Sequence, residues 1–182
     1  MAKRDKETIT LGGGTAYLML YADTIPEPEE ICVDDNLLGH IKGGAALEYT
    51  EETYEEKDDL GKVYKIITTE EEAVLKLGLL TWNGVTLSNL IDRCKTEEKD
   101  GKRITKIGGA GNAQGKYYVV CFHHEDKKDG DVWVTIVGRN TAGASLTFAK
   151  DEGTKIEPEF KAMPNDDDGT LVLLYEQLPT AG

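Results

Sequence analysis

The pattern that decides the fold class is clearest in residues 155–162, which read Lys155-Ile156-Glu157-Pro158-Glu159-Phe160-Lys161-Ala162. Apolar side chains alternate with charged ones, which predicts a strand with one buried face. The period of two recurs in residues 132–136 and 145–148, and the apolar run 17–20 reads as a further strand after three glycines. We therefore expect a mainly β protein.

Turn signals separate these runs in the second half of the chain. Asp or Glu precedes Gly at Asp100-Gly101, Asp129-Gly130, Glu152-Gly153 and Asp168-Gly169. Glycine, and less readily Asn or Asp, adopts the positive φ that tight hairpins need. Residues 63–80 also alternate, with Ala73, Leu75, Leu77 and Leu79 on one face, and read as a strand. The spacing predicts an antiparallel β-sandwich or barrel-like fold.

One amphipathic helix is predicted at about residues 85–95. Leu87, Leu90, Ile91 and Cys94 follow the spacing i, i+3, i+4, i+7 and form its packing face. Thr86 is a candidate cap, and Asn83 stands in the turn before it. We expect a short helix lying against a sheet.

Two features suggest assembly with other copies: two doubly apolar strands and one acidic segment. Residues 117–122 and 171–175 are apolar on both strand faces, so each strand needs cover on both sides. A neighbouring subunit could supply the second cover, although the helix and long loops of the same chain could also suffice. Residues 50–59 carry six acids and one lysine; an acidic segment of this length suggests a functional loop, although a plain solvated loop is the more frequent explanation for a run of charges.

Composition limits the function classes. The chain has 182 residues, which suggests a single domain over 1–182, and a formal net charge of −13. That charge argues against ordinary DNA or RNA binding, which needs Lys and Arg to displace counterions. The three cysteines, Cys32, Cys94 and Cys121, are widely spaced and read as reduced, buried thiols. Without an apolar signal or membrane-spanning run, the sequence predicts a soluble protein made in the cytoplasm with no membrane anchor.

The segments that resemble phosphate-binding, calcium-binding or catalytic motifs lack the residues or the spacing that those motifs require. Residues 108–116 lack the glycine and Ser/Thr positions of a phosphate loop, and they read as a flexible connection between strands. Residues 166–169 resemble a calcium loop, but the positions that should supply its first and last carboxylates are Pro164 and Tyr175. His123 and His124 are adjacent in a strand and point to opposite faces, so they cannot easily share a metal. No serine stands in a nucleophile motif. We expect no catalytic residue, no metal site and no cofactor.

Several segments, in order along the chain, carry a resemblance to a known family. They are 39–49 (Gly-His-Ile-Lys-Gly-Gly-Ala-Ala-Leu-Glu-Tyr), 58–63 (Asp-Asp-Leu-Gly-Lys-Val), 69–73 (Thr-Glu-Glu-Glu-Ala), 78–84 (Gly-Leu-Leu-Thr-Trp-Asn-Gly), 107–109 (Ile-Gly-Gly) and 134–138 (Val-Thr-Ile-Val-Gly). Together they resemble the major tail tube proteins of bacteriophages, or phage-like particles, of Gram-positive bacteria. The resemblance spans most of the chain, and its specificity comes from the set of segments.

The resemblance implies a structural virion protein. Such proteins have a β-sandwich or barrel-like core flanked by a helix, and their hexameric rings stack into a hollow tail tube that conducts DNA into the host. The implied partners are other copies of the chain, a tape measure protein, a tail terminator, baseplate or initiator proteins and, in contractile tails, a sheath protein. DNA would pass through without specific binding. The type of tail, and the choice between a phage and a bacteriocin-like particle, stay open.

The resemblance also points to particular residues. It implies an extended inter-ring loop at about residues 50–62, assisted by an N-terminal arm at 1–10. The loop residues are Glu51, Glu52, Tyr54, Glu55, Glu56, Lys57, Asp58 and Asp59. Glu48, Thr50 and Glu52 lie on one strand face and are candidates for the surface that lines the lumen.

Two other readings belong to different classes. A monomeric β-sandwich that binds carbohydrate or calcium would need an exposed aromatic platform or a complete carboxylate cage, and Trp82 and Trp133 lie far apart in the sequence. An enzyme with a dispersed site is disfavoured because no His, Cys or Ser stands in a recognised frame.

Overall fold

The computed structural model describes residues 13–178. Nine strands are present in this range: β1 (Thr15–Leu20), β2 (Leu37–Lys57), β3 (Tyr64–Leu79), β4 (Cys94–Lys99), β5 (Lys102–Ile107), β6 (Tyr118–His124), β7 (Val132–Asn140), β8 (Glu159–Ala162) and β9 (Val172–Glu176). Two α-helices, α1 (Pro28–Ile31) and α2 (Gly84–Leu90), and two 3-10 turns at Asp34–Asn36 and Ala110–Asn112 complete the elements of this range. The predicted N-terminal arm, residues 1–10, lies outside it.

The main sheet closes on itself. Its strand order is β6-β1-β2-β3-β8-β7, and β7 pairs again with β6, so six strands form a barrel. β9 pairs with the first half of β7, while β8 pairs with its last three residues. β4 and β5 form a separate hairpin, and every pairing is antiparallel. The predicted mainly β, antiparallel fold is confirmed.

The alternation in residues 155–162 shows which face of the chain points into the barrel core. Ile156 and Phe160 are fully buried, whereas Glu157 between them and Lys161 directly after Phe160 are exposed. Phe160 packs in one cluster with the other inward-facing side chains, which include Leu75, Leu79, Val120, Ile136 and Leu18. Because side chains of successive residues point to opposite faces of a strand, the period of two in the sequence becomes an inside and an outside.

A second apolar cluster lies on the outer face of β6. Val119 and Cys121 on this face pack with Val137 and with Ile31 of α1. The strand predicted to be apolar on both faces is therefore covered on both sides by its own chain, and no neighbouring subunit is needed there. In β9, by contrast, Leu174 remains 59% exposed.

Helix α2 is shorter than the sequence predicts, ending at Leu90 instead of about residue 95. Its start is fixed by Asn83, whose side chain accepts hydrogen bonds from two backbone N–H groups of the first turn. The chain becomes extended at Ile91, and Cys94 begins β4 because it pairs with Ile107 of β5. The packing face is nonetheless retained, since Leu87, Leu90 and Cys94 are buried in the barrel cluster and Ile91 packs against it.

The strand predicted at residues 145–148 is wrong, because the chain between β7 and β8 is irregular. Asn140 at the end of β7 explains the change of direction: its side chain donates to the carbonyl groups of Leu90 and Gly143 and accepts from the N–H of Glu159. Those bonds draw β8 beside β7 and leave the intervening chain outside the sheet. Phe148 there is 78% exposed.

The turn predictions are mostly confirmed. Asp100 and Gly101 both have positive φ, 53° and 71°, and form the two-residue turn of the β4–β5 hairpin. Asp166 closes the turn before β9 by accepting from the backbone N–H groups of Asp168 and Thr170. Residues 152–153 instead lie within the irregular segment before β8.

Candidate functional site

The most prominent surface feature is the hairpin formed by β2 and β3. Its two strands pair almost continuously from Ala45 opposite Leu77 to Lys57 opposite Tyr64. Only its base belongs to the barrel, because β1 pairs with β2 at residues 37–40 and β8 pairs with β3 at residues 74–76. The part from Thr50 to Lys57 extends roughly 25 Å beyond that base.

The sequence prediction of a loop over residues 50–62 is therefore wrong for most of its length. Residues 50–57 continue β2, and only 58–63 form a turn. The turn closes through Asp58, whose side chain accepts from the N–H of Val63 at 2.7 Å, while Gly61 supplies a φ of 65°. The backbone N–H of Val63 lowers the pKa of Asp58, so the carboxylate that holds the turn is ionised at neutral pH.

The opposite strand explains why this acidic segment is extended. Glutamate has a low preference for strands, but residues 64–68 of β3 read Tyr-Lys-Ile-Ile-Thr, which are mostly strong strand formers. They pair with residues 53–57 and hold them in the ladder. The register shifts at Glu52 and Thr53, where β3 contains one extra residue, Thr69, whose hydroxyl donates to the carbonyl of Glu52.

The hairpin has two distinct faces. Tyr49 and Glu51 continue the face that carries Ala73 and Leu75 of the barrel core. The other face, which we call the far face, carries Glu48, Thr50, Glu52, Tyr54 and Glu56 of β2 with their partners Val74, Glu72, Glu70, Ile67 and Lys65 of β3. The three residues proposed for a lumen-lining surface therefore share one face, as predicted, and that face points away from the barrel core.

Like charges meet directly across the hairpin. Glu51 is paired with Glu71, and Glu52 with Glu70. Such pairs are destabilising by roughly 0.2–1 kcal/mol each in an isolated sheet. The hydroxyl of Tyr49 lies between the first pair, 2.9 Å from a carboxylate oxygen of Glu51 and 3.0 Å from one of Glu71, so its single proton is shared between the two acceptors. Partial desolvation and these two carboxylates raise the pKa of Tyr49.

Lysines form ion pairs with glutamates at the base of the hairpin and near its tip, where Lys57 lies 3.5 Å from Glu55. Lys76 lies 2.9 Å from Glu48, and Lys161 of β8 forms an ion pair with Glu72. These carboxylates raise the pKa of both lysines. The middle of the hairpin therefore keeps a concentrated negative charge.

The distal part of the hairpin also exposes large apolar side chains. Leu60 and Val63 at the turn are 76% and 69% exposed, and Tyr54, Ile66 and Ile67 are each about half exposed. In residues 13–178, no other element covers them. A two-stranded hairpin is only marginally stable alone in water, so an apolar, uncovered one is typical of a surface that binds a partner.

Both long edges of the hairpin can accept another strand. Among the described residues, no strand pairs with β2 beyond Ile41 on its β1 side or with β3 before Val74 on its β8 side. Unpaired edge N–H and C=O groups favour the addition of a further strand. Because the two edges face opposite directions, one edge of a copy can meet the other edge of the next, which is a head-to-tail contact.

The sequence predicted the strand on one side of this surface, residues 63–80, but interpreted the acidic segment opposite it as a loop. The residues predicted in the acidic segment lie on β2 (Glu51, Glu52, Tyr54, Glu55, Glu56 and Lys57) and at the turn (Asp58 and Asp59). The apolar contribution of Leu60, Val63, Ile66 and Ile67 was not anticipated. The signal was present, because a strand-forming run directly follows the Asp-Asp-Leu-Gly turn residues.

Other titratable groups are used within the fold. His123 stacks on Trp133, with ring centroids 4.9 Å apart, and its Nε2 lies 2.8 Å from a carboxylate oxygen of Asp131. His124 points to the opposite face, as predicted, where its Nδ1 lies 2.7 Å from the carbonyl of Gly13. Over residues 13–178, no cluster of three or more His, Cys, Asp or Glu side chains could hold a metal ion.

Residues 108–116 form a connection from β5 to β6 that contains the second 3-10 turn, as the sequence predicts.

None of the helices in the described part of the chain is both long and apolar enough to cross a membrane. The chain matches no protein-family model and no curated protein.

Proposed function

We propose that this chain is a structural subunit that assembles with copies of itself through the β2–β3 hairpin into rings, and that the rings stack into a hollow tail tube of a phage or phage-like particle. The observation that carries the proposal is the projecting hairpin, whose two long edges and distal apolar side chains are not covered by any other described residue. The tube itself, its location in the virion tail and the passage of DNA through it rest on the resemblance of residues 39–49 and the other segments to tail tube proteins.

Edge pairing accounts for ring formation in this proposal. The outer edge of β2 in one copy pairs with the outer edge of β3 in the next, so the hairpins join into a continuous sheet around a channel. Head-to-tail contacts of this kind close into a ring when the rotation between copies permits it. Each ring contact removes two exposed strand edges and covers apolar side chains such as Ile66 and Ile67, which are 47% and 46% exposed in the single chain.

The charge of the hairpin suits a channel for a polyanion. The far face carries Glu48, Glu52, Glu56, Glu70 and Glu72 against two lysines of β3. If this face lines the channel, its net negative charge repels the DNA phosphates, and its two lysines each lie beside a glutamate, with Lys65 opposite Glu56 and Lys76 paired with Glu48. Repulsion between the carboxylates of neighbouring copies is screened by salt, so assembly should be favoured at higher ionic strength.

A register-preserving truncation tests the role of the hairpin. Thr50 and Glu72 are cross-strand partners, so residues 51–71 can be replaced by Asn-Gly, which forms a two-residue turn. The matched control shortens the other hairpin, replacing residues 98–103 by Asn-Gly between the partners Glu97 and Ile104. Both variants retain the barrel core, because the removed residues lie outside it.

Negative-stain electron microscopy and sedimentation velocity distinguish the outcomes. The wild-type protein and the β4–β5 control should form rings or hollow tubes when concentrated in salt, whereas the truncated β2–β3 variant should stay monomeric with an unchanged circular dichroism melting curve. Tubes formed by the truncated variant would exclude the hairpin as the assembly element. A wild-type protein that remains monomeric at its highest attainable concentration, with or without salt, would contradict self-assembly.

A further inference from the structure

Two of the three cysteines lie side by side although they are far apart in the chain. The Sγ atoms of Cys32 and Cys121 are 3.6 Å apart across a sequence separation of 89 residues. Cys94 is elsewhere, buried in the barrel cluster beneath α2. The sequence prediction of buried thiols is correct for Cys94 and Cys121 and wrong for Cys32, which is only half-buried.

The fold holds this pair in place from both sides. Cys32 ends helix α1, and its N–H donates to the carbonyl of Pro28 at 2.9 Å. The side chain of Asn36 donates to the carbonyl of Ile31 at 3.0 Å and fixes the chain that follows. Cys121 lies within β6, whose outward-facing residues contact α1 through the second apolar cluster.

The two thiols have different surroundings. The hydroxyl of Thr135, itself fully buried, donates to Cys121 Sγ at 3.4 Å, and Cys32 Sγ lies within hydrogen-bond distance of the same sulfur, with either thiol able to donate. The hydrogen bonds from Cys32 and Thr135 lower the pKa of Cys121, whereas the bond to Cys121 and burial raise that of Cys32. Cys32 is accessible to small molecules, and Cys121 is the better thiolate.

We propose that Cys32 and Cys121 form a reversible intramolecular disulfide when the protein meets a small-molecule disulfide such as oxidised glutathione. The accessible Cys32 sulfur loses its proton to solvent and attacks one sulfur of the oxidant; the oxidant's S–S bond breaks, and the first small thiolate leaves and takes up a proton. The Cys121 thiolate then attacks the Cys32 sulfur, the mixed disulfide breaks, and the second small thiolate leaves and takes up the proton that Cys121 had lost. The two cysteines lose two electrons and two protons, and the oxidant gains both.

The movement required is small. A disulfide has an S–S distance of about 2.05 Å, so the sulfurs must approach by roughly 1.5 Å. Cys32 can supply this shift because it stands at the end of a four-residue helix, whereas Cys121 is fixed within the sheet. The bond would clamp helix α1 onto the outer face of β6 and restrict a long loop of the unfolded chain.

The test compares reduced protein with protein treated with oxidised glutathione at mildly alkaline pH. Titration of thiols after unfolding should give three per chain before treatment and one after it, and the intact mass should fall by the two hydrogens lost. Non-reducing tryptic mapping should link the peptides 7–42 and 117–127, which contain Cys32 and Cys121. The melting temperature should rise by at least about 5 °C, and a thiol reductant should reverse the rise.

Single substitutions provide the controls. Cys94→Ser should still gain the bond and the higher melting temperature, whereas Cys32→Ser and Cys121→Ser should gain neither. If the Cys121→Ser variant does not fold because Cys121 is buried, Cys32→Ser alone still tests the proposal, since Cys32 is only half-buried and its replacement should be tolerated. Three free thiols after treatment, a link that involves Cys94, a stable glutathione adduct at Cys32 or a disulfide between two chains would each overturn the proposal.

Discussion

Replacing Gly138 by alanine should open the barrel where β7 meets β8. Gly138 is opposite Ala162 of β8 and, on its other side, opposite Tyr118 of β6. A Cβ atom at this position would overlap the carbonyl oxygen of Lys161 and would lie 2.9 Å from its carbonyl carbon and 3.3 Å from the Cα of Ala162. These are backbone atoms of a paired strand, so they cannot rotate away as a side chain could.

The expected cost follows from the movement that the methyl group forces. Shifting β8 disturbs its short ladder with β7 and the fully buried Phe160 that it carries into the core. Overpacking costs about 1–3 kcal/mol, and each weakened ladder hydrogen bond adds about 1 kcal/mol. We therefore expect a loss of about 3 kcal/mol in the free energy of unfolding, which corresponds to a fall of roughly 6–12 °C in melting temperature for a chain of this size.

Urea and thermal unfolding monitored by circular dichroism measure this effect. Gly111→Ala is the matched control, because a Cβ there has nothing within 4 Å and the change should stay within about 0.5 kcal/mol. If Gly138→Ala melted within about 2 °C of the wild-type protein, the contact between β7 and β8 would not be as close as described, and the argument for barrel closure at this point would fail.

Two further substitutions test local features of the fold. Asn83→Ala removes the side-chain oxygen that accepts hydrogen bonds at the start of α2, including the one from the N–H of Thr86. The free energy of unfolding in urea should fall by about 1 kcal/mol, whereas Asn83→Asp should retain most of the wild-type stability. Equal stability of both variants would exclude a capping role. The backbone N–H of Asp126 and the ring of His123 lower the pKa of Asp131 in the folded protein. The stability that this carboxylate contributes is therefore present above its unfolded pKa of about 3.9, and it is lost as the pH falls through the lower folded pKa. Urea unfolding between pH 6 and pH 3 should consequently show a shallower loss of stability on acidification for Asp131→Asn than for the wild-type protein, and identical slopes would contradict the assignment.

Local patterns in the sequence predicted the strands correctly where one face of a strand is buried. The alternation at residues 155–162 became a half-buried strand, and residues 63–80 became β3. The same pattern failed at residues 145–148, because the hydrogen bonds of Asn140 draw β8 to β7 and exclude the intervening chain from the sheet. Helix α1, only four residues long, was too short to leave a periodic signal.

The sequence predicted where the candidate site lies along the chain, but it did not predict the conformation of that segment. The acidic composition of residues 50–59 identified an unusual segment, and its charge favoured a loop. The conformation was decided by the partner strand, since Tyr64, Ile66 and Ile67 pair with acidic and polar residues that would not form a strand alone. The same holds for Cys32 and Cys121, whose separation along the chain gives no indication that they are in contact.

The fold class, the sign of the charge and the positions of most turns follow from local sequence, because they depend on residue type and on neighbours a few positions apart. Long-range packing determines that the sheet closes, that the β2–β3 hairpin projects with no described strand paired to its distal edges, and that Cys32 meets Cys121. Strand pairing joins residues that are distant in the chain, and its register depends on how whole faces pack together. A period of two shows which side of a strand is buried, but it does not identify the strand that lies beside it.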